Sequence, residues 1–267
     1  MNIIGQTRLK AVLDTYTLQT LPKTLMFLGE TGCGKHTFAK YLAEKLKVRL
    51  IQIDEKITQD DLENFLLSTI DTLYVIDLNK FTEKQQNQFL KFIEEPTKST
   101  YILLLANSEA GILHTVLNRC TKLAFEPYSL LEIEQITHNK VNEQAFKIFK
   151  TPGKLVNVSE KSFSDILALA TAILTQTKTL PYTYTIANIT KVNYKDLYDK
   201  VDFYLLFDAI EYLALEDFKN RNLLENLIIF NITNKFKQFI NHQSLIKETL
   251  MINYLTTLWE ALHNDIT

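Results

Sequence analysis

Short apolar runs alternate with amphipathic segments in the first half of the chain. Runs of four to six residues predict β-strands at residues 24–28, 49–54, 73–77, 101–106 and 122–125. Apolar residues at helical spacing predict α-helices at residues 7–20, 36–47, 59–67, 82–95 and 109–117. Because strands and helices alternate, we expect an α/β domain over residues 1–127, with a parallel sheet flanked by helices.

The alternation of short apolar runs and amphipathic segments ends at Pro127. Between residues 128 and 178 the only proline and the only glycine form the turn signal Pro152-Gly153. Neither proline nor glycine occurs after Pro181. Apolar residues at helical spacing continue towards the end of the chain. We therefore expect a small helical domain over residues 128–178 and an all-α domain of long helices over residues 179–267.

Three of the six glycines lie within six residues of one another, directly after the first predicted strand. Together with a lysine they give the spacing G-x-x-x-x-G-K of a P-loop, whose backbone N–H groups turn towards a polyphosphate. A glycine-rich turn alone is often an ordinary helix entry, but the strand before this one and the helix after it favour nucleotide binding. The predicted nucleotide-binding residues are Gly29, Glu30, Thr31, Gly32, Cys33, Gly34, Lys35, His36 and Thr37.

One position departs from the P-loop pattern. The residue after Lys35 is normally Ser or Thr, whose hydroxyl ligates Mg²⁺, and here it is His36. Imidazole suits softer metals than Mg²⁺, which prefers oxygen ligands. A helix turns about 100° per residue, so the hydroxyl of Thr37 points elsewhere. The sequence therefore favours nucleotide binding and leaves Mg²⁺ binding and metal-assisted hydrolysis in doubt.

Two further strand ends carry polar residues. Asp77 ends an apolar strand, as the metal-associated carboxylate of a Walker B strand does, and an aspartate there could hold Mg²⁺ through water. The acid that normally follows such an aspartate and polarises the attacking water is absent, because the next residue is Leu78. Asn107 ends the next strand, where its amide either approaches a γ-phosphate or makes an ordinary turn.

The composition excludes several classes of protein. The chain has 267 residues, 46% of them hydrophobic and 22% charged, as in an ordinary globular protein, and a net charge of −2. Any contact with nucleic acid must therefore come from a local basic face. Only two cysteines are present, Cys33 and Cys120, which predicts reduced thiols, a cytoplasmic location and no zinc site. We find no apolar run long enough for a membrane span and no signal peptide.

The order of these motifs resembles that of clamp-loader subunits of the AAA+ class, most of all the delta-prime and gamma/tau subunits of bacterial DNA polymerase III. The resemblance covers residues 1–160, whereas residues 180–267 match only as a helical segment where the family has its oligomerising collar. The zinc-binding insert of the bacterial relatives is absent between residues 48 and 73, so the chain resembles a compact variant. The motifs are Ile4-Gly5-Gln6, Gly29 to Lys35, Asp77, Gln86 to Pro96, Leu105-Ala106-Asn107, Asn118-Arg119-Cys120 and Pro152-Gly153-Lys154.

The resemblance implies a role for several residues. Gln6 is expected near the base, Asp77 and Asn107 near the γ-phosphate, and Lys154 on a lid domain that reaches the phosphates. Arg119 is expected to act in trans, as an arginine finger in the ATP site of a neighbouring subunit. The implied partners are other clamp-loader subunits in a ring-like oligomer, a sliding clamp and primer-template DNA.

His36 and Leu78 weaken the chain's own site, while Arg119 remains for the neighbour's site. We therefore expect a subunit that binds ATP, hydrolyses it weakly or not at all, and helps to load a sliding clamp. Two alternatives stay open. The first is an active AAA+ motor of the clamp-loader or branch-migration type, and the second is a small-molecule kinase, which would need an acceptor site and lid arginines.

Overall fold

The computed structural model describes residues 3–53, 57–156, 158–221, 223–240 and 247–263. Its contacts divide the chain into two compact units. Unit 1 comprises Met1–Lys140 and Thr151–Val156, and unit 2 comprises Val141–Lys150 and Asn157–Thr267. The division into three domains, with boundaries at residues 127 and 178, stays a prediction.

Unit 1 is built on a five-stranded parallel sheet with the strand order β2-β3-β4-β1-β5. The central strands β3, β4 and β1 are almost wholly buried, as expected for apolar runs covered on both faces. The strands are β1 (Thr24–Leu28), β2 (Arg49–Ile53), β3 (Thr72–Asp77), β4 (Thr100–Ala106) and β5 (Thr121–Ala124).

Fifteen α-helices lie in the described part of the chain. Those of unit 1 are α1 (Thr7–Thr15), α2 (Lys35–Leu46), α3 (Gln59–Leu66), α4 (Glu83–Gln86), α5 (Leu90–Glu94), α6 (His114–Leu117), α7 (Leu130–Thr137) and α9 (Pro152–Leu155). Those of unit 2 are α8 (Glu143–Phe149), α10 (Glu160–Thr179), α11 (Tyr182–Thr190), α12 (Lys195–Lys200), α13 (Phe203–Arg221), α14 (Leu224–Ile240) and α15 (Lys247–His263). No helix among the described residues is long and apolar enough to span a membrane.

Each face of the sheet has its own apolar core, because side chains alternate along a strand. On one face Phe27 and Leu103 pack with residues of α1 and α2, among them Leu13 and Leu42. On the other face Tyr74 and Leu104 pack with aromatic and aliphatic residues of α3, α5 and α6. This arrangement brings the carboxyl ends of β1, β3 and β4 to the same edge of the sheet.

Unit 2 is a bundle of helices that also contains a buried ionic cluster. The Lys237 ammonium lies 2.7 Å from Asp208 Oδ1 and 2.5 Å from Glu211 Oε2, which joins α14 to α13. Asp208 is only 6% exposed, so the cation offsets a charge that is largely removed from water. The cluster therefore links these two helices through charged groups.

The predicted fold class is confirmed, and each predicted strand is present within one residue of its expected ends. The predicted helix over residues 7–20 ends at Thr15, where Tyr16 becomes extended and the Thr17 amide donates to the Thr20 hydroxyl instead. The helix predicted over residues 82–95 has the Thr82 and Gln85 capping box, but a tighter 3₁₀ turn at Asn87–Phe89 divides it. There the Asn87 side chain bonds to the carbonyl four residues before it and competes with the main-chain amide.

Candidate functional site

The predicted P-loop connects β1 to α2. The Gly29 amide donates to the Ala106 carbonyl, so the loop begins beside the end of β4. Gly32 and Gly34 have φ values of +85° and +100°, a region that side chains rarely adopt. Gly34 is the residue before the first turn of α2, and the loop therefore leads its amides directly to a helix N-terminus.

Lys35 is folded back over the loop. Its ammonium donates to the carbonyls of Gly29 and Glu30 and, over 3.0 Å, to Oδ1 of Asn107. The residue is 7% exposed, and burial lowers the pKa of the ammonium, although the charges of Asp77 and Glu30 oppose this shift. The lysine thus lies inside the loop, bonded to two of its carbonyls and to the asparagine that follows β4.

Asp77 is connected to the loop by a chain of hydrogen bonds. Asp77 Oδ1 accepts from the amide and the side chain of Asn79, at 3.2 and 2.6 Å. Asn79 Oδ1 in turn accepts from the Asn107 amide at 2.9 Å, and Asn107 Nδ2 donates to the Thr31 hydroxyl at 3.1 Å. Asn79 thus joins the ends of β3 and β4, a role that we do not predict from the sequence.

His36 faces the carboxylate at the place where a P-loop hydroxyl would face Mg²⁺. Its Nε2 atom lies 3.8 Å from Asp77 Oδ2. Burial opposes ionisation of Asp77, but the neighbouring imidazole and the bonds from Asn79 outweigh burial and lower the pKa of the carboxyl. One carboxylate engaged by an asparagine and an imidazole is a poor donor set for Mg²⁺, which binds through oxygen. These residues therefore do not fit a magnesium site.

The residue after Asp77 contributes to the hydrophobic core. Leu78 is 2% exposed and packs with Ile76 and Phe81 on one face of the sheet. A side chain held in that core does not reach the phosphate-binding edge. Position 78 therefore supplies neither an acidic group nor a surface position for one.

The segment that contains Lys154 lies against the P-loop. The Thr151 hydroxyl donates to the Thr31 carbonyl and the Gly153 amide donates to the Gly32 carbonyl, each over 2.9 Å. Lys154 Nζ lies 4.0 Å from Glu30 Oε2, and its side chain is 12% exposed. The structure therefore brings this lysine to the loop, as the sequence predicts.

The Gln6 side chain makes two hydrogen bonds with the backbone of Glu126, which follows β5. Its Nε2 donates to the Glu126 carbonyl at 2.6 Å, and its Oε1 accepts from the Glu126 amide at 2.8 Å. Gly5 precedes it at φ +76°, where an added Cβ would lie 2.7 Å from the Tyr128 ring. The Tyr128 hydroxyl donates to the Cys33 carbonyl at 2.8 Å, so the Gly-Gln motif supports the P-loop through Tyr128.

Arg119 makes its contacts away from the P-loop. Its Nε lies 2.9 Å from Glu94 Oε1, and one terminal nitrogen donates to the Thr115 carbonyl at 2.7 Å. The side chain is 39% exposed. The guanidinium is thus oriented by α5 and α6 while part of it faces solvent.

Parts of the chain are similar to subunits of DNA polymerase III. A family model described as DNA polymerase III, delta subunit, matches residues 63–129. The delta' subunit of Bacillus subtilis (strain 168) DNA polymerase III is 31% identical over 90 residues, which cover 33% of this chain and 27% of that protein. The delta' subunit of Haemophilus influenzae is 44% identical over 48 residues, which cover 18% of this chain and 15% of that protein.

A solved structure agrees in fold over nearly the whole chain. A DNA polymerase III gamma subunit-related protein from Thermotoga maritima has a TM-score of 0.50 and 16% identity, with 94% of this chain and 98% of that chain covered. This chain therefore has the fold of that protein, and its residues 63–129 are similar to the DNA polymerase III family model. Its matched segments span about a quarter or less of the two curated relatives, so those proteins' activities and partners come to it only as proposals.

Most of the predicted site residues come together in the structure. Lys35, Asn107, Asp77 and His36 lie at one edge of the sheet, and the Thr151–Lys154 segment lies against the loop itself. Thr37 is on the exposed side of α2, and Gln6 contacts Glu126 rather than the loop. Asn79, Tyr128 and Thr151 carry the connections that we do not predict, although the Asp-x-Asn spacing at the end of β3 is a recognisable turn signal.

Proposed function

We propose that this chain binds ATP at Gly29–Thr37 and acts as a weakly hydrolysing or non-hydrolysing subunit of a clamp loader. The observation that supports this proposal most directly is a contrast within the site. Lys35 and Asn107 are assembled beside the loop as phosphate-binding groups, whereas His36 and Leu78 occupy the positions that normally serve the metal and the attacking water. Phosphate binding is thus retained without the groups for hydrolysis.

The second part of the proposal concerns Arg119, which would act in the ATP site of a neighbouring subunit. A guanidinium that stabilises the charge of a transferred phosphoryl group raises the rate of the transfer by a factor of about 10³–10⁵. The contacts with Glu94 and Thr115 support this role, because they orient the group without burying it.

The partners follow from the similarity to delta' subunits and from that role. We propose other clamp-loader subunits as ring neighbours, with a sliding clamp and primer-template DNA as the substrates of the assembly in the cytoplasm. The net charge of −2 implies that DNA is bound by a local surface or by the neighbours.

A binding assay with a fluorescent ATP analogue tests the first part, in Mg²⁺ and in EDTA. The unaltered chain is expected to bind in both solutions, and Lys35→Ala is expected to lose most of this binding because it removes a charged phosphate ligand. Absence of binding in both solutions would overturn the proposal that the loop holds nucleotide.

The active-motor alternative makes a different prediction. A motor would turn over ATP by itself, and DNA would stimulate it, so steady-state ATPase measurements on the purified chain with and without DNA separate the two proposals. Turnover abolished by Lys35→Ala would favour the motor.

A further inference from the structure

All six carbonyl oxygens of the P-loop, from Gly29 to Gly34, accept hydrogen bonds. Those of Gly29 and Glu30 accept from the Lys35 ammonium, and that of Gly34 accepts from the Phe38 amide within α2. These bonds come from the loop and its own helix. The carbonyls that remain, at the centre of the loop, obtain their donors from elsewhere.

Three donors from the chain after β5 bind these three central carbonyls in succession. The Thr151 hydroxyl binds the Thr31 oxygen at 2.9 Å, and the Gly153 amide binds the Gly32 oxygen at 2.9 Å. The Tyr128 hydroxyl binds the Cys33 oxygen at 2.8 Å. The donors lie 95 to 121 positions away along the chain, so the loop's conformation depends on distant residues.

The direction of a carbonyl also determines the direction of an amide. In a trans peptide the C=O and the following N–H point in opposite directions. A donor outside the loop that holds the Thr31 or Cys33 oxygen therefore turns the next N–H, that of Gly32 or Gly34, away from that donor. The amide that follows the Gly32 oxygen, that of Cys33, donates within the loop to the Glu30 carbonyl at 3.2 Å. Amides directed in this way are what a loop needs in order to surround an anion.

The three donors are built into unit 1 and are not surface groups. Tyr128 is 7% exposed and Thr151 is 5% exposed. Burial raises the pKa of Tyr128 to about 12, so its hydroxyl is a neutral donor at physiological pH. An added Cβ on Gly153 would lie 2.7 Å from Gly32 Cα and 2.9 Å from Gly32 O, both backbone atoms, so only glycine allows this approach.

We propose that Tyr128, Thr151 and Gly153 are positioning residues of the nucleotide site, which hold the central P-loop carbonyls so that the loop is arranged for phosphate before nucleotide arrives. The inference rests on the proposed function in so far as the loop binds nucleotide. Its structural part, the restraint of the loop, is measurable without any nucleotide.

The first experiment compares nucleotide affinity in variants that differ by one hydroxyl. Tyr128→Phe and Thr151→Val each remove a donor at nearly constant volume and are expected to weaken binding of the fluorescent ATP analogue by about tenfold. Thr151→Ser keeps the hydroxyl and is expected to bind as the unaltered chain does. The matched control is Thr137→Val, since Thr137 is also buried but its hydroxyl bonds within and just beyond its own helix.

The second experiment uses Cys33 as a reporter inside the loop. Cys33 is 4% exposed, and burial raises the pKa of its thiol, so reaction with a disulfide reagent should be slow. In a Cys120→Ser background it is the only thiol. Tyr128→Phe and Thr151→Val are expected to raise its reaction rate severalfold, while Thr151→Ser and Thr137→Val are expected to leave it unchanged.

Gly153→Ala adds a steric test, because its methyl group forces the Thr151–Lys154 segment and the loop apart. Of these variants it is expected to raise the reaction rate of the Cys33 thiol most. Equal thiol rates in the unaltered chain and all these variants would overturn the inference. If the unaltered chain binds no nucleotide but the rates differ as expected, the positioning role stands and the proposed function fails. If nucleotide binds and neither affinity nor rate responds to Tyr128→Phe or Thr151→Val, the proposed function stands and the inference fails.

Discussion

The imidazole of His36 lies 3.8 Å from the carboxylate of Asp77, at the point where a P-loop protein normally places a hydroxyl ligand of Mg²⁺. The pair places an imidazole nitrogen beside one oxygen of the carboxylate. The other carboxylate oxygen is engaged by Asn79, which reduces its capacity as a ligand. The carboxylate thus has nitrogen groups near both of its oxygens.

His36→Thr is expected to make nucleotide binding depend on Mg²⁺. A hydroxyl at this position gives the cation an oxygen ligand and releases Asp77 from the imidazole. Titration of the ATP analogue should give similar affinities in Mg²⁺ and EDTA for the unaltered chain, and at least about tenfold tighter binding in Mg²⁺ for the variant. His36→Gln is the control, because it removes the ring without providing a hydroxyl. Equal affinities for His36→Thr in both solutions would show that this residue does not determine the metal dependence.

Asn79→Ala is expected to weaken nucleotide binding about tenfold and to lower stability by about 1–3 kcal/mol. The substitution removes a donor from Asp77 and an acceptor from the Asn107 amide, and the Asn107 side chain is also a partner of Lys35. Urea denaturation gives the stability change and the ATP analogue gives the affinity. Asn64→Ala serves as a control, since Asn64 is an exposed asparagine of α3. A stability loss with unchanged affinity would limit Asn79 to a structural role.

Arg119→Ala is expected to leave this chain's own nucleotide affinity unchanged, because its described contacts are with Glu94 and Thr115 and not with the loop. In an assembly with the cognate clamp-loader subunits, the ATPase rate should fall by about 10³ or more if the guanidinium serves the neighbour's site. Arg8→Ala, which removes another exposed arginine of unit 1, is the comparison. An unchanged rate in a correctly assembled complex would contradict the role in trans.

Lys237→Met is expected to destabilise the protein by about 3–5 kcal/mol, since it removes the cation from beside two largely buried carboxylates. Burial opposes the charge on Lys237, but Asp208 and Glu211 outweigh it and raise the pKa of the ammonium. A raised pKa in the folded state means that this stabilisation is fully present at neutral pH and is lost only in alkali, above the ordinary lysine range.

Urea denaturation at pH 7 measures that loss. Lys235→Met, at an exposed position of the same helix, should cost less than about 0.5 kcal/mol. A loss for Lys237→Met that is no larger than the loss for Lys235→Met would show that the ionic cluster does not stabilise the protein.

The sequence predicts the sheet and the loop well because their signals are local. Apolar runs mark β1, β3 and β4, and the glycine spacing marks the turn that surrounds Lys35. The supports of the loop are not predictable in this way. Tyr128 reads as one more aromatic residue after Pro127, and its bond to the Cys33 carbonyl depends on how β5 and α2 pack together. The type of residue at a position does not indicate which donor its backbone carbonyl binds.

The helix predicted over residues 82–95 likewise combines a local signal with an interruption that depends on other contacts. The capping residues Thr82 and Gln85 are a local signal, because each side chain binds the backbone of the other within one turn. The 3₁₀ turn at Asn87–Phe89 depends on a side chain that competes with the backbone and on the burial of Phe89, neither of which periodicity reveals.

The buried position of Leu78 limits how this site could change. A glutamate at residue 78 would place a carboxylate among apolar side chains, where it is neutralised or unfolds the core instead of meeting a water molecule. An acidic group that reaches the phosphate edge would need a different path of the backbone after β3 and new packing around Ile76 and Phe81. An acidic side chain at this edge of the sheet therefore requires several coordinated substitutions, because a single substitution at residue 78 leaves the new group in the core.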